Sequence, residues 1–546
     1  MIRMLCAVSM LALAACGGEA AKPKAATGPA TWQVSEFIGP SPFHGLHGLA
    51  IEPDGTILAG SVVGQAIYAV NPKTGDVTER MGPPDGMADD IAFGPDGVMA
   101  WTGYLTGKVF VQEKGQAPRM ISSGLPGSNS LAFNAQGKLY FTQVFLGDAL
   151  YEADWKGGTA PKLIRKDLGG LNGFEFGPDG MIYGPLWFKH AIVKVDPKTG
   201  KDTVVADGFE IPAAANFGPD GNLYAIDTKN GQVKRIDMKT KAVSVVATLP
   251  PALDNLAIAP DGMIYVSNMA EASIFEVNST TGAVRTVVKG PLATPTDLAI
   301  TDGPEGEKLH VADTFAYRVI DTATKTITDP LRMYRDDTDN QLGMGAGKTK
   351  VLITSWAAGM VQVVDRATGA AVVRHGFAAP SDAIELDDGR LFALEAAGGT
   401  IRPLQTEGDK PPAPVVQGLN FPVAMVDAGG GKVYVTETSG ALALVDLATG
   451  EITRVLEGLE GPEGVDIGAD GRVYVAEAKV GRVIAYDPKD KSKTVIAEGL
   501  KTGLPAAEGT LPAFTTTGVA VSKKDGSVYV ASDITNAIYR IAPVKE

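Results

Sequence analysis

The sequence predicts an all-β fold made of two tandem six-bladed β-propellers, and three observations support this prediction. A short phrase of two apolar strands around a turn such as Pro-Asp-Gly occurs twelve times. The turn glycines are 40 to 44 residues apart, with one wider gap of 55 residues before the last. Each repeat has room for two further strands joined by turns such as NPKTGD. Four strands per repeat of about 40 residues are typical of propeller blades.

The repeated phrase joins an inner strand a to a strand b. Clear copies are LAIEPDGTILAG at Leu49, FEFGPDGMIYGP at Phe174 and VDIGADGRVYVAE at Val465. The turn between the two strands is a tight hairpin in which glycine takes the position of positive φ. The twelve turn glycines are Gly55, Gly97, Gly137, Gly180, Gly221, Gly262, Gly306, Gly347, Gly389, Gly431, Gly471 and Gly526.

Twelve blades exceed the four to eight that one ring usually holds, so we expect two rings of six; a split into seven and five is the alternative. Repeat twelve ends after its third strand, whereas the chain begins with an extra strand-like segment, Thr31–Ile38. We expect this segment to close repeat six, and residues 283–288 to open the second ring and close repeat twelve. The predicted rings then cover residues 30–282 and 283–546.

The first 29 residues read as an export signal and a tether. Residues 1–15 contain one arginine, a short apolar stretch and small residues, a pattern too short for a membrane span. Leu13–Cys16 resembles the bacterial lipobox, which implies cleavage before Cys16 and lipidation of that cysteine. Gly17 follows, where an aspartate would imply retention, so the resemblance implies a periplasm-facing anchor in the outer membrane. Residues 16–29 are small and polar and predict a flexible tether.

The formal net charge is -14, which disfavours binding to nucleic acids and to anionic membrane surfaces. Phosphate loops, dinucleotide fingerprints and nucleophile elbows are absent in context. We therefore expect no nucleic-acid partner, and membrane contact only through the lipid.

The first residue of each strand a is expected to point into the mouth of the central channel. In the first ring these positions are mostly polar, and each also fits a simple cap of a strand start. Carboxylates that converge on one axis repel each other, and Ca²⁺ with oxygen ligands would relieve that repulsion. The residues concerned are His47, Asp89, Asn129, Asn172 and Asp254, with Asn255 beside the last.

The ends of the b strands supply a second set of polar and aromatic side chains, which we interpret either as a ligand pocket or as packing between blades. Two long insertions, residues 328–339 and 498–517, lie on the same face. Long loops of this kind often form lids or partner contacts. The candidate pocket residues are Tyr104, Gln143, Trp187, Asp227 and Asn268.

The phrases LDNLAIAPDGMIYVSN, LNGFEFGPDGMIYG and GPEGVDIGADGRVYVAE resemble the calcium-dependent six-bladed propellers. These include the senescence marker protein/gluconolactonase, paraoxonase and strictosidine-synthase-like families; the repeats also resemble virginiamycin B lyase and NHL-repeat propellers. The resemblance implies a central Ca²⁺ held by Asn172, Asp254 with Asn255, and Asn129. It departs from the family pattern at His47, where a glutamate is expected, and at Ala213, where an asparagine is frequent.

Two functions of different classes follow. The first is a cell-envelope lactonase or ester hydrolase in which Ca²⁺ polarises the carbonyl group and His47 or Asp89 activates water. A lyase acting on a cyclic ester is a variant of this reaction. The second is a non-catalytic, envelope-anchored double propeller that binds a small ligand or a protein partner through its loops.

The lipid anchor gives the first testable prediction. Replacement C16A removes the thiol that would carry the lipid, so we expect a soluble or unprocessed precursor. Detergent-phase partitioning of the wild type and the variant measures this. Unchanged partitioning of C16A would rule out the anchor.

Overall fold

A computed structural model describes residues 26–405 and 410–544. Its strands form twelve four-stranded antiparallel sheets, which confirms the all-β fold and the twelve blades within the described residues. The predicted signal peptide, Cys16 and most of the tether lie outside these residues. None of the described helices has the length and apolar character needed to cross a membrane.

Six sheets, blades one to six, form ring one. Their strands, four to a blade in chain order, are β2 (Leu49–Ile51), β3 (Ile57–Ser61), β4 (Ala66–Val70), β5 (Val77–Met81); β6 (Ala88–Phe93), β7 (Met99–Gly103), β8 (Lys108–Gln112), β9 (Arg119–Ser122); β10 (Ser128–Phe133), β11 (Leu139–Gln143), β12 (Ala149–Ala153), β13 (Lys162–Lys166); β14 (Glu175–Phe176), β15 (Ile182–Leu186), β16 (Ala191–Val195), β17 (Asp202–Ala206); β18 (Pro212–Phe217), β19 (Leu223–Asp227), β20 (Gln232–Ile236), β21 (Val243–Thr248); β22 (Leu253–Ile258), β23 (Met263–Asn268), β24 (Ser273–Asn278) and β25 (Val284–Lys289).

Blades seven to twelve form ring two, and β1 (Trp32–Ile38) belongs to the last of them. The other strands are β26 (Asp297–Thr301), β27 (Lys308–Asp313), β28 (Ala316–Asp321), β29 (Ile327–Arg332); β30 (Met344–Ala346), β31 (Lys350–Ser355), β32 (Met360–Asp365), β33 (Ala371–His375); β34 (Pro380–Glu385), β35 (Leu391–Glu395), β36 (Thr400–Pro403), β37 (Val416–Gln417); β38 (Pro422–Gly429), β39 (Lys432–Glu437), β40 (Ala441–Asp446), β41 (Ile452–Glu457); β42 (Pro462–Ile467), β43 (Val473–Glu477), β44 (Arg482–Tyr486), β45 (Lys493–Glu498); β46 (Val519–Val521), β47 (Val528–Ala531) and β48 (Ile538–Pro543). Three short 3₁₀ helices, Pro95–Gly97, Trp187–Lys189 and Ala478–Val480, complete the described elements.

The N-terminal strand closes blade twelve and not blade six, where we expected it. β1 pairs antiparallel with β48, so it is the outer strand of blade twelve. Blade six keeps its own outer strand, β25, which pairs with β24. The assignment of Thr31–Ile38 to repeat six and of residues 283–288 to repeat twelve is therefore wrong. The strands of ring one run from residue 49 to 289, and those of ring two from 297 to 543 together with β1.

Each ring closes by packing its first blade against its last. In ring one, Leu49 and Ile57 share an apolar cluster with Tyr265 and Ile274. In ring two, Phe37 of β1 packs on Tyr529 with ring centroids 4.9 Å apart, in a cluster that also contains Leu309. Ring one thus closes without a strand from elsewhere in the chain, whereas ring two needs β1.

Part of the predicted tether is ordered against ring two. The backbone N–H of Thr27 donates to the carbonyl of Glu498 at 2.9 Å, and the N–H of Glu498 donates back at 2.7 Å. Ala26 packs against the apolar cluster of blades eleven and twelve. Residues 26–29, the described part of the predicted tether, are therefore packed against ring two and are not a free linker.

Buried aspartates join neighbouring blades at their inner strands. Asp297 accepts the N–H of the next residue at 2.8 Å and the N–H of Met344 in the following blade at 2.9 Å. The same two-blade contact recurs through Asp382 and Asp466 in ring two, and through Asp90 in ring one. A carboxylate that accepts two backbone donors is stabilised in an otherwise apolar interior.

Two segments, residues 39–48 and 290–296, cross between the rings side by side. The N–H of Leu292 donates to Ser41 Oγ at 3.2 Å, and the Ser41 hydroxyl donates to the Leu292 carbonyl. His44 joins the rings, because Nε2 donates to the Asp533 carbonyl at 2.7 Å while Nδ1 faces the Tyr68 hydroxyl at 3.3 Å. Gly45 has φ of +34°, and a Cβ there would overlap the Phe315 ring.

An apolar core and a set of ion pairs bind the rings to each other. Val63 and Met269 of ring one share a cluster with Phe315 and Met333 of ring two. Arg332 of ring two, 5% exposed, forms an ion pair with Glu271 of ring one. Although burial raises the pKa of Glu271, the charge of Arg332 and the bond to Lys289 lower it more, to about 2. The two rings therefore form one packed body along this edge.

The closure of ring two can be tested with a matched pair of core truncations. Phe37 and Phe275 are both 6% exposed, and they belong to ring two and ring one respectively. F37A should lower the stability of ring two by about 3–5 kcal/mol, the usual loss for a buried phenylalanine. Hydrogen exchange should then accelerate in β48 and β26 but not in β22. F275A should show the reverse pattern, and faster exchange of blade six in F37A would contradict the strand assignment.

Candidate functional site

A cavity of about 340 Å³ lies between the two rings. Its floor is the channel mouth of ring one, and its roof is an edge of ring two formed by loops of blades seven, eight and twelve. We call it the inter-ring chamber. Ring one contributes His47, Asp89, Tyr104, Asn172, Trp187 and Asp254. Ring two contributes Phe315, Met333, Tyr334, Asp339, Trp356 and Phe514.

Two carboxylates in the chamber have no donor. Asp89 is the second residue of β6 in blade two and is 8% exposed, and Asp254 holds the equivalent position in β22 of blade six. Neither side chain accepts a hydrogen bond of the kind that fixes Asp90, within the described part of the chain. Burial raises the pKa of Asp89 well above its usual range, and Asp254 and Asp90 raise it further. Burial, and then Asp90, raise the pKa of Asp254 to about 7.

His47 is neutral and poorly placed to act as a base. Burial lowers its pKa to about 4. Its Nδ1 accepts the N–H of Val62 at 3.4 Å, which leaves the proton on Nε2. The ring also packs edge-on against Phe315 at 5.9 Å. Of the two predicted catalytic residues, Asp89 therefore has the chemistry of a base, and His47 that of a hydrogen-bond donor.

The residues carried over as calcium ligands are largely bonded to protein donors. Asn172 Oδ1 accepts both the N–H of Gly173 at 2.9 Å and the Ser130 hydroxyl at 3.0 Å. The Ser130 hydroxyl also lies 2.9 Å from Asn129 Oδ1, but its single proton serves only one of the two amides. Asn129 and Asn172 line the chamber nonetheless.

Asn255 lies outside the chamber. Its Oδ1 accepts the N–H of Leu256 at 2.7 Å, and its Nδ2 donates to Asp90 at 3.1 Å, so it joins blade six to blade two. In residues 26–405 and 410–544, no group of three His, Cys, Asp or Glu side chains could hold a metal ion. The carried-over donor set therefore does not fit a calcium ion, since two of its four members already use their oxygens elsewhere.

Of the five predicted pocket residues, Tyr104 and Trp187 line the chamber. The other three bind backbone groups of the preceding loop. Gln143 donates to the Pro126 carbonyl at 2.8 Å and Asn268 to the Pro250 carbonyl at 2.9 Å. Asp227 accepts the N–H groups of the Glu210–Ile211 segment and pairs with Lys234 at 3.0 Å. Side chains at the ends of the b strands thus mainly hold the preceding loop in place.

The same role accounts for the acidic b-strand ends of ring two. Asp313 accepts the Ala293 N–H at 2.9 Å and pairs with Arg318 at 3.1 Å. Glu395, Glu437 and Glu477 likewise accept a loop N–H and pair with an arginine. These acids are compensated, whereas Asp89 and Asp254 of ring one are not. The two chamber acids that accept no hydrogen bond from the described residues therefore both belong to ring one.

Both predicted insertions form the inter-ring edge, and sequence reasoning did not identify which of their side chains matter. Tyr334 of the first insertion packs against Trp187 with ring centroids 5.3 Å apart. Phe514 of the second packs against Trp356 at 5.9 Å. Ala507 joins a cluster with Val62 of ring one. The length of the insertions was the available signal, but they have no periodicity that would reveal an inward-facing residue.

Two family models match parts of the sequence. Residues 187–314 match the SMP-30/gluconolactonase/LRE-like region. Residues 408–496 match a model described as outer membrane protein assembly factor BamB. No curated protein matches the sequence.

Solved structures of low sequence identity are also similar to the chain. An extracellular domain of a one-component system from B. thetaiotaomicron is 12% identical, with a TM-score of 0.32, over 92% of this chain and 76% of that one. A gluconolactonase from Xanthomonas campestris is 15% identical, with a TM-score of 0.34, over 50% of this chain and 94% of that one. A Bacteroides thetaiotaomicron protein of unknown function is 17% identical, with a TM-score of 0.38, over 47% and 75%.

The pKa of Asp254 predicts how stability depends on pH. Between its usual 3.8 and about 7, the folded chain holds a proton that the unfolded chain releases. Stability should therefore fall as the pH rises through this window. D254N removes the charge, so we expect it to melt several degrees above the wild type at pH 8 and close to it at pH 4. Calorimetry between pH 4 and 8 measures this.

The exposed Asp302 of ring two provides a control, and D302N should follow the wild-type curve. A D254N protein that melts below the wild type at every pH would contradict the assignment of an uncompensated, partly buried charge to Asp254.

Proposed function

We propose that this chain, which belongs to the β-propeller superfamily, is a small-ligand-binding protein whose ligand occupies the inter-ring chamber. The observation that carries the proposal is the Asp89 carboxylate, which is buried, faces the chamber and accepts no hydrogen bond from the described residues. A buried polar group without a partner is costly and persists mainly where function needs it. Walls from both rings enclose it, as expected for a ligand pocket of this size.

The proposal is tested by blocking the chamber. Ala357 lines the chamber and is solvent-exposed, so A357W should obstruct the chamber without disturbing a core. Ala358 is next in the chain but does not line the chamber, so A358W is the matched control. In a screen of small neutral, anionic and cationic molecules, ligands that raise the melting temperature should lose that effect in A357W and keep it in A358W. Ligands that bind A357W normally would show that the chamber is not the site.

Ester or lactone hydrolysis is the second candidate function, and two observations favour it. The gluconolactonase-like match spans Trp187 and Asp254. Asp89 and Asp254 also share a low-dielectric site in which one of them keeps its proton near neutral pH. The ionised carboxylate would take a proton from water as its oxygen attacks the carbonyl carbon. The protonated one would donate to the alcohol oxygen as the C–O bond breaks.

Hydrolysis is tested with a panel of neutral lactones and aryl esters. If the chamber is catalytic, D89N should lower kcat by about 100-fold or more while substrate binding remains. Because Asn is isosteric with Asp, lost binding would instead indicate that Asp89 binds the substrate and does not act in the reaction step alone. A wild-type protein that binds panel members without turning them over would leave the binding function as the better account.

Neither proposed function requires calcium. The senescence marker protein/gluconolactonase family is generally metal-dependent, but the donor set of this chain is a poor fit. We expect millimolar Ca²⁺ to change the melting temperature little relative to chelator. A large shift that D254N removes and E463Q retains would restore a metal site in ring one, since Glu463 belongs to ring two. Placement in the cell envelope rests on Cys16 and stays a prediction.

A further inference from the structure

We propose that the ligand of the inter-ring chamber is an organic cation with apolar substituents, such as a protonated amine or a quaternary ammonium. This inference rests on the proposed function, because it names the chemical class that the same chamber would take. It is argued from the charge, the hydrogen-bonding groups, the aromatic walls and the size of the chamber.

The ionisable side chains that can carry charge in the chamber are acidic. Asp89 and Asp254 on the floor and Asp339 in the roof line it, and no lysine or arginine does so among the described residues. His47 is neutral, so it offers no compensating charge. Carboxylates in a shared low-dielectric site repel each other unless a cation or protons neutralise them. A bound cation would relieve this repulsion, whereas an anion would increase it.

Besides donors such as His47 Nε2, the chamber holds several acceptors that receive no hydrogen bond from the described residues. Besides the two carboxylates of the floor, the Oε1 atom of Gln341 is buried without a donor, and this chamber-lining side chain is 2% exposed. An unpaired buried acceptor destabilises the folded protein unless a ligand donor reaches it. Ammonium groups carry donors and no acceptors, so they match this set.

Aromatic side chains stand beside the carboxylates. Tyr104 and Tyr334 line the chamber together with Asp89, Asp254 and Asp339. Burial raises the pKa of both tyrosine hydroxyls, and the charges of these aspartates raise it further. Trp187 packs edge-on against Tyr334. Aromatic faces next to carboxylates stabilise alkylated ammonium groups through cation–π attraction and apolar contact.

The size of the chamber separates an organic cation from a metal ion. The cavity measures about 340 Å³, which is within the range of small-molecule sites. No described group of acids converges as metal ligands do. Acids spread over two rings therefore suit a larger cation whose charge is shared among several contacts.

One side of the chamber is open to solvent through apolar residues. Phe145 and Leu146 line it and are 44% and 54% exposed. Phe188, 50% exposed, lies 5.7 Å from Phe145 between ring centroids. An apolar entrance followed by an acidic floor fits a ligand whose apolar portion remains near the rim.

The test compares three probes of similar shape on the full chain: 2-phenylethylamine, 2-phenylethanol and phenylacetate. Calorimetric titration at pH 8 keeps the amine charged. The amine should bind about tenfold more tightly than the alcohol or better, and phenylacetate most weakly. D254N should abolish the preference for the amine over the alcohol, and D339N, in a partly exposed loop, should reduce it. E463Q changes an acid that does not line the chamber and should keep the preference.

Each result has a defined meaning. Equal binding of the alcohol and the amine would overturn the inference while leaving the chamber as a ligand site. Binding of none of the three probes would also overturn it, and the A357W screen would then decide the proposed function separately. A preference for the amine that survives both D254N and D339N would show that the cation binds elsewhere.

Discussion

The first described strand of the chain pairs with the last, and hydrogen bonds such as that from Ser35 to Arg540 span 505 residues. This pairing makes the first and last strands of the described residues part of ring two. Ring one is consequently inserted between the outer strand of blade twelve and the first strand of blade seven. Two crossing segments must therefore connect the rings, and they lie side by side at Ser41 and Leu292. The relative placement of the two propellers follows from this connection.

The paired crossings bring one edge of ring two over the channel mouth of ring one. His44 fixes the crossing with one hydrogen bond to each ring, and its neutral form suits its burial. Around it, Phe315 and Met333 pack onto Met269, and Arg332 binds Glu271. The chamber is thus a product of two domains, and neither ring alone encloses Asp89 and Asp254. A functional site at a domain interface is common among small-molecule sites.

The blades were predictable from sequence because each repeat carries its own strand and turn pattern. The inward position of Asp89, Asn129, Asn172 and Asp254 followed from the same periodicity. The closing strand was not predictable, since WQVSEFI and VRTVVK read alike as outer strands and only packing of Phe37 on Tyr529 distinguishes them. The contribution of Tyr334 was also hidden, because a non-repeating insertion has no period to show which side chain faces inward.

The closure of blade twelve has a consequence for the order in which the chain is made. Ring one has all of its strands once residue 289 has been synthesised, whereas β1 must wait for β48. During that interval the buried face of Phe37 and Ile38 and one edge of β1 lack their partners, which is a hazard for association with other chains. The entropy of closing so long a loop grows only slowly with its length, and a folded ring one shortens the effective loop further. Early completion of the inserted ring therefore assists the late completion of the ring that contains it.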